Sequence, residues 1–332
     1  MTTASPTLEL NDLVTEFRVG GKWHAAVRGV SFKVEKNETL AVVGESGSGK
    51  SVMALSILKL IPASGARHGG GRVLLEGRDL TPLSERQMAN VRGNDIAMIF
   101  QEPMTSLNPT MTIGDQIAEA VRQHRKISWS DARKVALKVL EEVKIPAAAK
   151  RFNDYPHQFS GGMRQRVMIA MALACRPKVL LADEPTTALD VTIQAQILTL
   201  LDDLKKAYGM SVVFITHNLG VVAQIADRVA VMYGGEIVEQ TDAETLFKQP
   251  AHPYTEALLR AMPRVDTDAA SLEPIVGSVP AITAMPRGCT FASRCPLREP
   301  RCEQEHPLLT PLSGKRQAVR CFVRARQHGE NV

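Results

Sequence analysis

The sequence predicts an α/β protein. Between residues 7 and 240, short apolar runs bounded by polar or glycine residues alternate with segments of helical period. A glycine-rich stretch, GESGSGKS at 44–51, lies between one such run and a helical segment. A second strand-like run, VLLADEP at 179–185, ends in two adjacent carboxylates. These three observations give the fold class and indicate where its chemistry lies.

Taken in order, TLELNDLVTEF from residue 7 alternates with period two and reads as a half-buried strand. TLAVVG, IAMIF, VLLAD, SVVFIT and VAVMY are apolar throughout, as expected of strands covered on both faces in a parallel sheet. Helices are predicted near 50–60, 113–124, 130–145, 161–175, 190–207 and 218–226. Ser84 with Gln87, and Thr241 with Glu244, have the spacing of capping boxes. HPYTEALLRAMP, from residue 252, reads as a Pro-initiated amphipathic helix with Leu258, Leu259 and Met262 on one face. The next stretch, PRVDTDAASLEPIVGSVPAITAMPRG, is rich in Pro, Ala and Ser and has no sustained period. The expected organisation is therefore a main domain over 1–262 and a small, irregular, cysteine-containing extension over 263–332.

Composition narrows the class. Of 332 residues, 44% are hydrophobic and 23% charged, which is enough to build a core. No charged segment followed by an apolar one opens the chain, so no leader is expected. The longest apolar stretch, VMIAMALAC, stops at Arg176, well short of the ~20 residues needed to span a bilayer. A net charge of +5 is mild, and with 5% aromatics there is no basic stripe interleaved with aromatic residues. Nucleic acid is not an expected partner. Five cysteines in a reducing compartment are expected as thiols or metal ligands rather than disulfides.

The motif GESGSGKS matches G-x-x-x-x-G-K-[ST] in the strand–loop–helix context it requires. Gly44, Gly47 and Gly49 let the backbone of Gly44, Glu45, Ser46, Gly47, Ser48 and Gly49 curl so that N–H groups face phosphate oxygens. The following helix adds the positive end of its dipole. Lys50 is the candidate for the β- and γ-phosphates, and the Ser51 hydroxyl for Mg²⁺. Asp183 is placed to hold Mg²⁺, and Glu184, one residue on, to act on the attacking water. FSGGMRQR at 159–166 opens a helix and offers a second anion-binding N-terminus, at Ser160, Gly161 and Gly162. Head-to-tail dimerisation would let one chain's second site cap the nucleotide held by its partner.

GESGSGKS, Gln101 in IFQEP, FSGGM, LLADEP, ALD at 188–190 and His217 in FITHNL resemble, in order and spacing, the nucleotide-binding subunit of an ATP-binding-cassette (ABC) transporter over residues 7–240. The resemblance implies a P-loop NTPase fold with a mixed sheet and a helical signature subdomain, and hydrolysis of ATP with Mg²⁺. It implies that Gln101 senses Mg²⁺ and γ-phosphate, that Asp190 links the two sites of a dimer, and that His217 holds the γ-phosphate and catalytic water. Phe17 corresponds to the aromatic that stacks on adenine. Phe159 and Met163 depart from the usual Leu and Gln of the signature without removing a phosphate contact.

The stretch EPMTSLNPTMTIGDQI, at 102–117, looks like the surface that receives a permease helix. HPYTEALLRAMP with GCTFASRCP, RC and HP is similar to the C-terminal region of the ATPase subunits of dipeptide and oligopeptide importers. That implies further partners: a second ATPase subunit, related rather than identical, two permeases and an extracytoplasmic peptide-binding protein. It also implies a peripheral position on the cytoplasmic face of the inner membrane. Import of nickel, glutathione or another solute is an alternative, and a soluble cassette ATPase acting on nucleic acid or the ribosome is a second.

The cysteines pose a separate question. Cys175 lies inside an apolar helix and reads as a core residue. Cys289, Cys295, Cys302 and Cys321 follow the spacing C-x5-C-x6-C-x18-C, which contains no C-x-x-C pair and is unlike a zinc ribbon. The spacing alone leaves open a metal site or scattered free thiols. The resemblance to dipeptide-importer ATPases implies a [4Fe–4S] cluster on these four positions.

Overall fold

A computed structural model describes residues 5–101, 106–187, 189–262 and 275–330. In chain order the strands are β1 (Leu8–Val19), β2 (Lys22–Val34), β3 (Thr39–Val43), β4 (Ala66–Leu75), β5 (Arg78–Asp79), β6 (Ile96–Ile99), β7 (Val179–Asp183), β8 (Ser211–Thr216), β9 (Arg228–Tyr233), β10 (Glu236–Asp242), β11 (Thr310–Pro311) and β12 (Ala318–Val319). The helices are α1 (Lys50–Ile57), α2 (Glu85–Val91), α3 (Ile113–His124), α4 (Trp129–Glu142), α5 (Ala148–Arg151), α6 (Gly161–Leu173), α7 (Val191–Tyr208), α8 (Leu219–Ile225), α9 (Ala243–Lys248), α10 (Pro253–Arg260), α11 (Pro300–Gln304) and α12 (Phe322–Gln327). The elements fall into two compact units.

The first unit runs mainly from Pro82 to Val213. Its strands β6 and β7 pair in parallel, Met98 opposite Leu181. Helices α3, α4 and α6 pack together and bury Ile117, Val121, Ala136, Leu140, Val167 and Ile169. Each starts on a hydroxyl cap: Thr112, Ser128 and Ser160 accept from the amides of Asp115, Asp131 and Met163. Cys175 is buried here, as its apolar setting predicted. Its thiol donates to the Ala120 carbonyl.

The second unit comprises Leu8–Val34, Glu38–Thr81 and Phe214–Val332. It holds an antiparallel sheet in the order β2-β1-β4-β5 and a strand series β11-β12-β10-β9-β3. Strand β9 runs parallel to β3 and antiparallel to β10, so the pairing is mixed. Ala41, Val43, Val229, Val231, Tyr233, Tyr254 and Phe291 form its core, and Leu258, Leu259 and Met262 pack against them. The face assigned to the 252 helix thus points inward. β12 lies against β10, Glu239 opposite Val319, so the C-terminal region adds strands to this sheet.

Several boundaries shift for local reasons. Helix α1 ends at Ile57 because Lys59 adopts a left-handed φ of 51°, and Lys144 at 61° follows the end of α4 in the same way. Ser84 and Gln87 do form the expected capping box. Thr241 and Glu244 do not: Thr241 remains in β10, and α9 starts after Asp242, whose carboxylate accepts from the Thr245 hydroxyl. Residues 102–105 of the expected permease-facing stretch, Ala188 of ALD, and 263–274 of the linker-like segment lie outside the described residues.

Candidate active site

The phosphate loop is built from the second unit. Buried β3 delivers Gly44, and α1 begins at Lys50, immediately after the glycine-rich turn. Gly49 has φ +100°, and a Cβ there would come within 2.8 Å of the Ala26 carbonyl and 2.9 Å of the Met232 methyl. Only glycine fits this turn without displacing backbone. Lys50 is buried, and its ammonium donates to the carbonyls of Gly44 (2.8 Å) and Glu45 (2.9 Å) and to the Ser48 hydroxyl (3.3 Å). The cation is thus held at the centre of the loop. Ser46, Gly47 and Ser51 are exposed at its rim, and Ser48 is fully buried.

Glu45 is held from two sides. Its peptide N–H donates to the Tyr254 hydroxyl at 2.8 Å. Its carboxylate takes the forked guanidinium of Arg294, at 2.8 Å and 3.1 Å. Sequence reasoning did not single out Tyr254 or Arg294. Both are remote in sequence, and no local pattern marks a residue that folds back across more than two hundred positions. Phe17 lies near the end of β1, opposite His24 and Ala66, partly exposed. His217 is exposed one residue beyond β8, before Asn218, whose side chain caps α8.

In the first unit, Asp183 is buried as the last residue of β7. Glu184 follows with φ +46°, an uncommon conformation for a residue with a side chain. Its carboxylate accepts from Gln101 Nε2 at 3.2 Å and from the Thr187 hydroxyl at 2.8 Å. Two candidate catalytic residues 83 positions apart therefore meet directly. Ser160 is exposed and caps α6, leaving Gly161 exposed and Gly162 half-buried in its first turn. Asp190 caps α7, its carboxylate accepting from the Ile193 amide at 2.8 Å. A hydroxyl at Ser51 and a carboxylate at Asp183 are hard oxygen donors, the kind Mg²⁺ prefers.

The four C-terminal cysteines converge. Cys289, Cys295, Cys302 and Cys321 line one small pocket with His252, Phe291 and Phe322. Burial, reinforced by the neighbouring sulfurs, pushes Cys289 up to about 12 and Cys295 to about 11, and raises Cys321 too. Among the described residues, no three His, Cys, Asp or Glu side chains are disposed to hold a single metal ion. An iron–sulfur cube is larger than one ion and sets its four thiolates further apart. Four thiols around one apolar pocket, with burial raising Cys289, Cys295 and Cys321, are the donor type such a cluster takes.

With this geometry in view, the comparisons with known proteins are decisive. The ABC transporter family model matches residues 27–187, and the model for the oligopeptide/dipeptide transporter C-terminal region matches 238–302. The dipeptide transport ATP-binding protein DppD of Bacillus subtilis is 51% identical over 95% of this chain and 94% of its own. The chain belongs to the ABC transporter ATP-binding proteins of the oligopeptide/dipeptide branch. The oligopeptide transport ATP-binding protein OppD of the same organism is 56% identical over 86% of this chain and 80% of its own. A dimeric bacterial ABC transporter cassette superposes with a TM-score of 0.63 at 29% identity, covering 71% of this chain and 98% of the cassette. A post-hydrolysis cassette bound to ADP and Pi superposes equally well, at 28% identity over the same shares of both chains. The fold is that of an ABC-cassette ATPase. Among the described residues no helix is long and apolar enough to cross a membrane.

Proposed function

We propose that this chain is the ATP-hydrolysing subunit of an importer of dipeptides or oligopeptides. The observation that carries the reading is the phosphate loop itself, a glycine turn with a buried lysine at its centre opening a helix. Membership of the oligopeptide/dipeptide branch supports the solute class.

Each residue then has a task. Amides of residues 44–51 and the Lys50 ammonium bind and orient the phosphates, and Phe17 stacks on adenine. Ser51, Asp183 and Gln101 would hold Mg²⁺, which when bound offsets the charge on the β- and γ-phosphates. Glu184, kept in place by Gln101 and Thr187, takes the proton of the attacking water, and His217 steadies that water and the γ-phosphate. Ser160, Gly161 and Gly162 act on the nucleotide of a second cassette, with Asp190 between the two sites. The dimeric state of the solved bacterial cassette supports this arrangement.

ATP thereby acts as a ligand favouring the closed pair, and hydrolysis releases it. The second cassette is a related subunit; both cassettes lie on the cytoplasmic face of the membrane against two permeases that span it, and an extracytoplasmic peptide-binding protein completes the assembly. Residues 1–262 serve as the cassette and 263–332 as its extension. Cys289, Cys295, Cys302 and Cys321 would hold a [4Fe–4S] cluster, which when bound supplies the positive charge that buried thiolates need.

Glu184→Gln tests the reaction: turnover is expected to vanish while nucleotide binding remains, and undiminished hydrolysis would remove Glu184 from its role. Purification with the permeases tests the solute. ATPase stimulation by binding protein loaded with dipeptide is expected, and stimulation only by nickel- or glutathione-loaded protein would redirect the assignment.

A further inference from the structure

We propose that Arg294, from the cysteine-bearing C-terminal region, is a positioning residue for the phosphate loop. Through Glu45 it sets where the Lys50 ammonium lies, and so the affinity for a nucleoside triphosphate.

The argument starts from the donors. A guanidinium carries five N–H groups, and all five of Arg294 are engaged. Nε donates to the Val276 carbonyl at 2.8 Å. Nη1 donates to Glu45 at 2.8 Å and to the Tyr233 hydroxyl at 3.3 Å. Nη2 donates to Glu45 and to the Ile275 carbonyl, both at 3.1 Å. The side chain is only 5% exposed. Surface ion pairs hold little because both partners wander, whereas this one is fixed on every donor.

Glu45 is the node of the loop. Its carboxylate is held by Arg294 and its amide by Tyr254, which packs against Tyr233 and Phe291. Its carbonyl accepts from the Ser48 amide at 3.2 Å and from Lys50 Nζ at 2.9 Å. Fixing the carboxylate therefore fixes the peptide plane that orients both Ser48 and Lys50. A loop already in its binding shape loses less freedom when phosphate arrives. Without Arg294 the loop must be ordered by the nucleotide, which weakens ground-state and transition-state binding alike. That raises KM more than it lowers kcat.

The test uses the purified full-length chain, with equilibrium binding of a fluorescent ATP analogue and steady-state ATPase kinetics. Arg294→Ala is expected to weaken nucleotide binding and raise KM by about tenfold, with kcat within about twofold. Arg294→Lys, which keeps the charge but loses the fork, is expected to fall between. Glu45→Gln breaks the same link from the loop side and serves if Arg294→Ala does not fold. Because the two residues act through one contact, the double variant is expected to be no weaker than the worse single one. Nucleotide affinity within twofold of wild type in Arg294→Ala or Glu45→Gln, or effects that multiply in the double variant, would overturn the proposal. It rests on the nucleotide-loop reading, and Lys50→Ala separates the two: loss of binding there with none in Arg294→Ala defeats only the positioning role. Binding retained by Lys50→Ala defeats the loop reading itself.

Discussion

Replacing Glu239 by alanine should destabilise the second unit more than any surface change. Glu239 lies on β10 and is fully buried. Its carboxylate accepts from the amides of Ala251 (2.9 Å) and His252 (2.7 Å) and from Gln317 Nε2 (2.8 Å). One side chain thus ties β10 to the start of α10 and to the C-terminal region. Gln317 keeps a second acceptor in the Gln249 carbonyl, so the two backbone amides dominate the cost. A buried donor left without its acceptor costs about 1–3 kcal/mol, which places the pair at about 2–6 kcal/mol. Relief from burying the carboxylate, whose proton affinity burial raises, offsets part of this. The expected loss is about 3–4 kcal/mol, or roughly 10 °C in Tm for a unit of this size.

Urea unfolding in a Trp129→Phe background, where Trp23 alone reports the second unit, measures the loss directly. Hydrogen exchange locates it, since protection should fall first at Ala251 and His252. A Glu239→Ala variant within about 1 kcal/mol of its parent, with both amides still protected, would show that the carboxylate does not hold this junction. Glu239→Gln, which turns an NH2 toward a donating amide, should fall between the two.

Acidification should act through His252, whose imidazole burial pulls down to about 3. A histidine whose folded pKa lies below its unfolded value of ~6.5 gives stability that is complete above 6.5 and lost as pH falls toward 3. The midpoint of urea unfolding should drop between pH 7 and pH 5, and His252→Asn should flatten that slope. Gly49→Ala should lower ATP affinity by at least about tenfold with an unchanged far-UV spectrum, because a Cβ there meets Ala26 and Met232. Titration with a fluorescent nucleotide checks it. Gly288→Ala puts a Cβ 2.3 Å from the Cys302 carbonyl, which the Cys289 amide also uses. It should cost about 1–3 kcal/mol and speed the reaction of buried Cys302 with a thiol reagent.

The strands and helices legible in the sequence were those whose burial is continuous or strictly periodic. VLLAD and SVVFIT coincide with β7 and β8, and 113–124 with α3. Strand β2 carries no such mark, because β1 and β2 pair through register shifts that break the alternation. The phosphate loop was legible because its chemistry is local: three glycines and a lysine within eight residues, between a strand and a helix. Gln101 and Glu184 were each named from the sequence, but the hydrogen bond between them was not expected. The grip of Arg294 on Glu45, spanning 249 positions, could not be read that way. Nothing near Arg294 distinguishes it from the other arginines of the tail until the chain is folded. Thr241 illustrates the opposite error, a good capping spacing defeated because tertiary pairing kept the residue in β10.

In the second unit the strand series ends at β11, two residues long, of which one is Pro311. A proline offers no N–H, and a two-residue strand offers little else for another chain to pair with. Just inside it, β12 pairs with the longer strand β10 at Glu239 and Gln240. The tail therefore occupies part of this sheet edge. Shortening the chain to a generic cassette would uncover the β10 backbone at Glu239 and Gln240, and the shortened chain is expected to self-associate more than the full one, which sedimentation checks.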